Sequence, residues 1–209
     1  MTTNIILIGL IIITIVVGIL NYSSLPKMIP SHWNINGNID SYIPKFWGLF
    51  LYPLVIIFMY ALFLIIPRID PLKKNISKFR NTFNNFIIII SLFFVYLFFI
   101  TLKAVTTKIN ITNYIIPAIA IIIYYSGILI KKAKQNWFIG IKTPWTLSNK
   151  EVWNKTHALG SKLFKISAII IIFSLFFKKI SIIIFITVIL IAAIIPIIYS
   201  YFIFKKLDK

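Results

Sequence analysis

Few residues in this chain could do chemistry. Acid–base or metal work would fall to His32 and His157 and to four carboxylates, Asp40, Asp70, Glu151 and Asp208. There is no cysteine, which excludes thiolate metal sites, disulfides and cysteine nucleophiles. His32 and Asp40 invite a metal reading, but zinc sites draw on three or four closely spaced ligands. The simpler role for His32 is to seat its loop, with Trp33, at a membrane interface. Glu151 and His157 lie six positions apart, off the i, i+4 face that a helical ligand pair requires. His157, one turn after Trp153, reads as a packing and hydrogen-bonding residue. No catalytic residue, no metal and no cofactor is expected, and no enzyme.

The elements that must carry these residues follow from composition. Of the 209 residues, 60% are hydrophobic and 12% charged, with a mean hydropathy of +0.96. A soluble domain is roughly 45–50% apolar and about 25% charged. Apolar segments of span length run about 4–22, 46–67, 86–102, 114–130, 163–177 and 180–204. The pattern predicts an all-α, polytopic integral membrane bundle of about six transmembrane helices. The fourth and fifth segments are short, so Lys131, Lys162 or Lys165 would snorkel to the headgroups. Lys178-Lys179 reads as a tight turn between the last two helices. The first segment lacks a basic n-region and a small-residue cleavage site, so it reads as a retained span.

Charge sets the orientation. The 22 Lys and Arg lie between apolar runs instead of along one polar face, which argues against direct nucleic-acid binding. Most fall in the second and fourth loops and the C-terminal tail, from Arg68, Lys73 and Lys74 through Lys131 and Lys132 to Lys205 and Lys206. The other side holds only Lys27, Lys45, Lys103, Lys108, Lys178 and Lys179. The positive-inside rule therefore predicts both termini in the cytoplasm of a multi-pass protein of the cell (plasma) membrane, with basic loops on anionic lipid headgroups. The 23–45 loop would lie outside. Trp33, Trp47, Trp137, Trp145 and Trp153 all avoid mid-span positions, as an aromatic belt does. No Asp, Glu, His or Arg falls in the central turns of the spans, which disfavours charge-coupled pumping.

Two polar loops remain. In the outer one, Pro26 and Pro30 keep the entry extended, and Asn36-Gly37-Asn38 is a turn signal. In the inner one, Thr143 must be extended before Pro144. Ser148-Asn-Lys-Glu151 reads as a capping box. The helix that follows would place Trp153, His157, Gly160 or Ser161, and Phe164 on one face. It would lie on the membrane surface or run directly into the fifth span. Capping and anchoring leave Gly140-Ile141-Lys142-Thr143-Pro144 without a role, which marks it as a candidate contact segment.

With both loops read, the chain resembles the SdpI family of bacterial membrane immunity proteins. "LP…IPSHWNINGNIDSYIPK" resembles that family's N-terminal, DUF1648-like module, pointing to Pro26, Pro30, His32, Trp33, Asn34, Gly37, Asp40 and Lys45. "N…GIKTPWTLSNKEVWNKTHALGSKLF" resembles its C-terminal signature, with Lys142 where Arg is common. It points to Gly140, Lys142, Thr143, Pro144, Trp145, Ser148, Asn149, Trp153, Thr156, His157 and Gly160. The resemblance divides the chain into an N-terminal module (1–67), a connecting region with the third span (68–113) and a C-terminal SdpI-like module (114–209). It implies resistance to a secreted, membrane-active peptide toxin met outside, and a small transcriptional repressor held at the membrane from inside. The alternative is a transporter of a small apolar or amphipathic solute, gated by helices containing Pro53, Pro117 and Pro196.

Overall fold

A computed structural model describes residues 2–34, 37–107, 109, 111–177 and 180–207. In chain order the elements are α1 (Thr2–Asn21), β1 (Met28–Trp33), β2 (Ile39–Pro44), α2 (Lys45–Ile69), α3 (Lys73–Ser77), α4 (Arg80–Thr106), α5 (Ile111–Lys132), α6 (Pro144–Ser148), α7 (Lys150–Ser174) and α8 (Ser181–Leu207). Among the described residues six helices, α1, α2, α4, α5, α7 and α8, are long and apolar enough to cross a membrane. The chain is a polytopic helical membrane protein. Large apolar side chains such as Ile183, Ile186 and Leu190 on α8 stay exposed, as a lipid-facing helix surface requires.

The helices fold into two compact units, residues 1–63 with 87–118 and residues 64–86 with 119–209. In the first, the Thr14 hydroxyl donates to the carbonyls of Leu10 and Ile11 at 2.9 Å, so α1 satisfies its one buried hydroxyl internally. Tyr52 on α2 and Thr101 on α4 share a hydrogen bond of 2.6 Å between their hydroxyls. The Tyr96 hydroxyl of α4 donates to the Tyr114 carbonyl of α5 at 3.2 Å. Such bonds hold helices together where lipid supplies no hydrophobic drive for their association.

The 23–45 loop is an antiparallel β-hairpin, which helical periodicity alone does not disclose. Its register pairs Met28 with Pro44, Ile29 with Ile43 and Pro30 with Tyr42, then slips on either side of His32. Ile29 is fully buried against the first turn of α2, where a side chain on Gly48 would collide with it. Lys45 staples the hairpin's base. Its backbone N–H donates to Lys27 O at 2.9 Å, and its ammonium donates to Tyr22 O and Leu25 O. At the hairpin tip Gly37 takes φ +78°, which glycine adopts without strain. Asn36, part of the expected turn signal, lies outside the described residues.

In the second unit, α5 and α7 approach closely at Gly127, where an added Cβ would stand 2.9 Å from the Ser161 carbonyl. Ser167 of α7 donates to Val188 O of α8 at 3.1 Å. The largest departure from the hydropathy pattern is the fifth span. It is expected over 163–177, but the helix runs from Lys150 to Ser174 without interruption. One face of its polar first half, with Val152, Trp153, Thr156, His157, Gly160 and Ser161, is buried while Lys150, Glu151, Asn154, Lys155 and Lys162 stay exposed, so hydropathy read for lipid starts it too late. The expected Lys178-Lys179 turn lies outside the described residues.

Candidate functional site

The loop between α5 and α7, residues 133–149, builds a dense polar structure. It starts where α5 ends, and its first device is Asn136, which is fully buried. The Asn136 carboxamide donates to the carbonyls of Lys134 and Ile139 at 2.8 Å and accepts from the amides of Phe138 and Ile139 at 2.9 and 2.6 Å. One side chain thus satisfies a whole turn of backbone. Gln135 reaches the other way, donating to the carbonyls of Thr146 and Leu147 at 2.9 and 2.6 Å.

Two residues from earlier in the chain tie this loop down. Asp70, at the end of α2, is 2% exposed. Its carboxylate accepts from the Leu72 amide at 2.6 Å and from the Trp137 amide at 2.9 Å. Asn75 of α3 donates to Gln135 O at 2.8 Å. Asp70 carries one signal in the sequence: it is one of four acids, and it immediately follows a span among Lys and Arg. Asn75 and Gln135 carry no such signal.

At the centre Trp153 and His157, one turn apart on α7, stack at 3.9 Å between ring centroids with an 18° tilt. Trp153 is fully buried and His157 is 2% exposed. The Trp153 indole N–H donates to Ala133 O at 3.0 Å. His157 Nε2 accepts from the Ile141 amide at 3.0 Å, so its Nδ1 carries the proton and donates to Trp153 O at 2.7 Å. This is the neutral tautomer with both nitrogens engaged. In this arrangement His157 offers no lone pair to a metal and no proton to a substrate. Gly140 lies on the rings at φ +129°, and an added Cβ would meet His157 Nε2 and the Trp153 ring. Positive φ and close approach both require glycine there.

The segment from Gly140 to Pro144 therefore has a structural role: it is the cover of the Trp153–His157 pair. Ile141 is bonded to His157, and Lys142 extends outward with its ammonium 3.2 Å from Phe138 O. Thr143 is extended, as expected, and caps α6 with Pro144 at the first helical position. The capping box lies here. Thr146 N donates to Thr143 Oγ1 at 3.1 Å, and Thr143 N donates to Thr146 Oγ1 at 2.9 Å. Thr143 also shares a hydrogen bond of 3.1 Å with Ser200 on α8, and Trp145 stands edge-on to Tyr201 at 5.1 Å.

The capping box expected at Ser148–Glu151 is not formed. Asn149 is the N-cap of α7, its carboxamide oxygen accepting from Glu151 N at 2.8 Å and Val152 N at 3.1 Å. Ser148 instead closes α6 by donating to Trp145 O at 3.2 Å. Glu151 pairs along the helix with Lys155 at 2.7 Å. Trp153 departs from its expected place in an aromatic belt, because it is enclosed by protein instead of facing headgroups. On α7 Thr156 and Gly160 share the buried face, with Gly160 against Ile141, Ile130 and Pro196. The Thr156 hydroxyl has no hydrogen-bond partner among the described residues.

The hairpin residues form a separate constellation in the first unit. His32 Nδ1 and Asp40 Oδ1 pair across the strands at 2.6 Å, both exposed. Pro30 is buried and Pro26 exposed. Asn34 Oδ1 accepts from Asn38 N at 3.1 Å, beside Gly37, and Trp33 is half-buried opposite Ile39. His32 thus holds a carboxylate instead of serving only as an interfacial anchor. Among the described residues no three His, Asp or Glu side chains gather in a metal-holding group.

Both constellations coincide with recognised domains. Residues 132–200 match the SdpI/YfhL protein family, and residues 9–57 match a domain of unknown function, DUF1648. The first match begins at the end of α5 and closes on Ser200, the hydroxyl that meets Thr143. The chain thus carries a segment similar to the SdpI/YfhL protein family. Over its whole length it is 29% identical to the immunity protein SdpI of Bacillus subtilis (strain 168), covering 99% of that protein. No solved structure matches it significantly. The segment that matches the SdpI/YfhL family is thus the packed core around Trp153 and His157 with the α8 residues that close it.

Proposed function

We propose that this chain is an SdpI-like immunity protein of the cell membrane, protecting its host from a secreted, membrane-active peptide toxin without enzymatic turnover. The observation that carries this reading is the end-to-end similarity to an immunity protein, with both modules in the same chain. Basic-residue distribution supports placing both termini and the 133–149 loop in the cytoplasm, and the β-hairpin outside. On this orientation the hairpin, with Trp33 and the His32–Asp40 pair, is the surface that meets the toxin. The exposed basic side of the SdpI domain around Lys142 is the surface that would hold a small transcriptional repressor.

The test is survival. The chain is expressed in a toxin-sensitive host and challenged with SDP-like peptides, with membrane insertion confirmed. Protection is the expected result. Unchanged killing by each peptide sinks the reading, and protection that persists through Trp33→Ala, Trp145→Ala and His157→Ala removes those residues from the function. Flux of a small apolar solute in proteoliposomes, without protection, would favour a transporter.

A further inference from the structure

The 133–149 loop does not stand off from the spans. Thr143 Oγ1 meets Ser200 Oγ at 3.1 Å, and the Trp145 and Tyr201 ring centroids are 5.1 Å apart. The apolar run of α8 continues past Tyr201 through Phe202, Ile203 and Phe204 and ends at Lys205. The loop therefore touches α8 roughly 6 Å to the apolar side of that first charge, at 1.5 Å of rise per residue. Nearer its start the loop turns two large side chains outward, Trp137, 53% exposed, and Phe138, 39% exposed. Their turn is built firmly: the buried Asn136 carboxamide makes four hydrogen bonds to backbone around it, and the buried Asp70 carboxylate accepts from the Trp137 amide. The same carboxylate accepts from the Leu72 amide, so the backbones of Leu72 and Trp137 meet at one side chain. Leu72 and Ile69, the last residue of α2, are exposed as well.

We propose that Ile69, Leu72, Trp137 and Phe138 form an apolar cap seated in the interfacial layer of the bilayer, so that the 133–149 loop is a membrane-surface element. Fixed turns that hold four large apolar side chains outward are unfavourable in water and favourable among headgroups. Trp137 suits that layer because its ring has an apolar body and one polar N–H. Charge complementarity points the same way. Arg68, Lys73, Lys74, Lys134 and Lys142 flank the cap in sequence, and the one acid among them, Asp70, is buried, which matches anionic lipid phosphates. Continuity selects lipid over a protein partner: the cap extends the end of one membrane-length helix, α2, and its loop leans on the apolar end of another, α8. Of the three Trp between α5 and the middle of α7, Trp153 is enclosed and Trp145 packs on Tyr201, which leaves Trp137 as the interfacial one. The proposal goes beyond the immunity reading and does not depend on it, since it holds for either orientation of the chain.

The test uses the full chain in liposomes of phosphatidylethanolamine and phosphatidylglycerol. The chain has no cysteine, so a single nitroxide label can be placed by Phe138→Cys, with Lys150→Cys on the exposed start of α7 as the control. Spin relaxation by oxygen, which concentrates in the bilayer, is compared with relaxation by a water-soluble nickel chelate. The oxygen-to-nickel ratio is expected to be at least roughly threefold higher at Phe138→Cys than at Lys150→Cys. Equal ratios at the two positions, both open to nickel, would overturn lipid as the occupant and leave the cap to a protein partner. Should the Phe138→Cys variant not fold, the unmodified chain decides, in the same liposomes with a lipid photoreactive at the top of its acyl chain. Adducts on Trp137 or Phe138 support the seat. Adducts on the spans with none on residues 133–142 overturn it.

Discussion

The amide of Ile141 donates to Nε2 of His157 at 3.0 Å, joining residues 16 positions apart in the chain. That bond fixes the imidazole tautomer and holds the Gly140–Pro144 segment on α7. It also leaves both imidazole nitrogens committed to backbone. Trp153 completes the arrangement by stacking on the ring and fastening its own indole to the end of α5.

Replacing His157 with Ala removes two hydrogen bonds and one face of a stacked pair, leaving the Ile141 donor buried and unpaired. A destabilisation of about 3 kcal/mol is expected from an unsatisfied buried group plus lost packing. His157→Gln, which can still offer an oxygen to Ile141, should recover part of it. Thermal unfolding in one detergent measures both; equal stability of the alanine variant and the unmodified protein would contradict the bond's role.

Asn149 and Ser148 separate two accounts of how α7 begins. Asn149→Ala removes the cap and should cost about 1 kcal/mol, while Ser148→Ala should stay within roughly 0.5 kcal/mol of the parent. Midpoints of unfolding compare the two. A larger loss at Ser148 would restore the capping box that the sequence pattern suggested.

Asp70→Asn keeps the shape but has only one oxygen to accept, so either Leu72 or Trp137 loses its partner. Hydrogen exchange should quicken at one of those two amides, and protease should cut the 133–149 loop more readily. Unchanged exchange at both amides would show that the carboxylate does not anchor the loop.

Much of the architecture was legible in the chain. The third span, without a charge along its apolar run, became α4, and the two polar loops were separable because aliphatic residues thin out within them. Pro144 announced a helix start and an extended Thr143, both of which the structure has. Other features were not legible. Ser148 and Glu151 fit a capping pattern, yet Asn149, lying between them, takes the cap because its carboxamide oxygen reaches the amides of Glu151 and Val152, two and three residues on. The hairpin hid because its alternation is interrupted by slips at His32 and by two prolines, Pro30 and Pro44.

The sequence by itself determined that this protein is a membrane helical chain with six spans and two polar modules, because helix length and hydropathy are local properties set by solvent. Only the tertiary structure decided what the modules are made of. Asp70 found Trp137, Asn75 found Gln135 and Thr143 found Ser200 through contacts at separations of 67, 60 and 57 residues. Local pattern is silent on such pairs. Each exists because a buried polar group in a protein interior has to find a partner, and the fold alone sets which one is near.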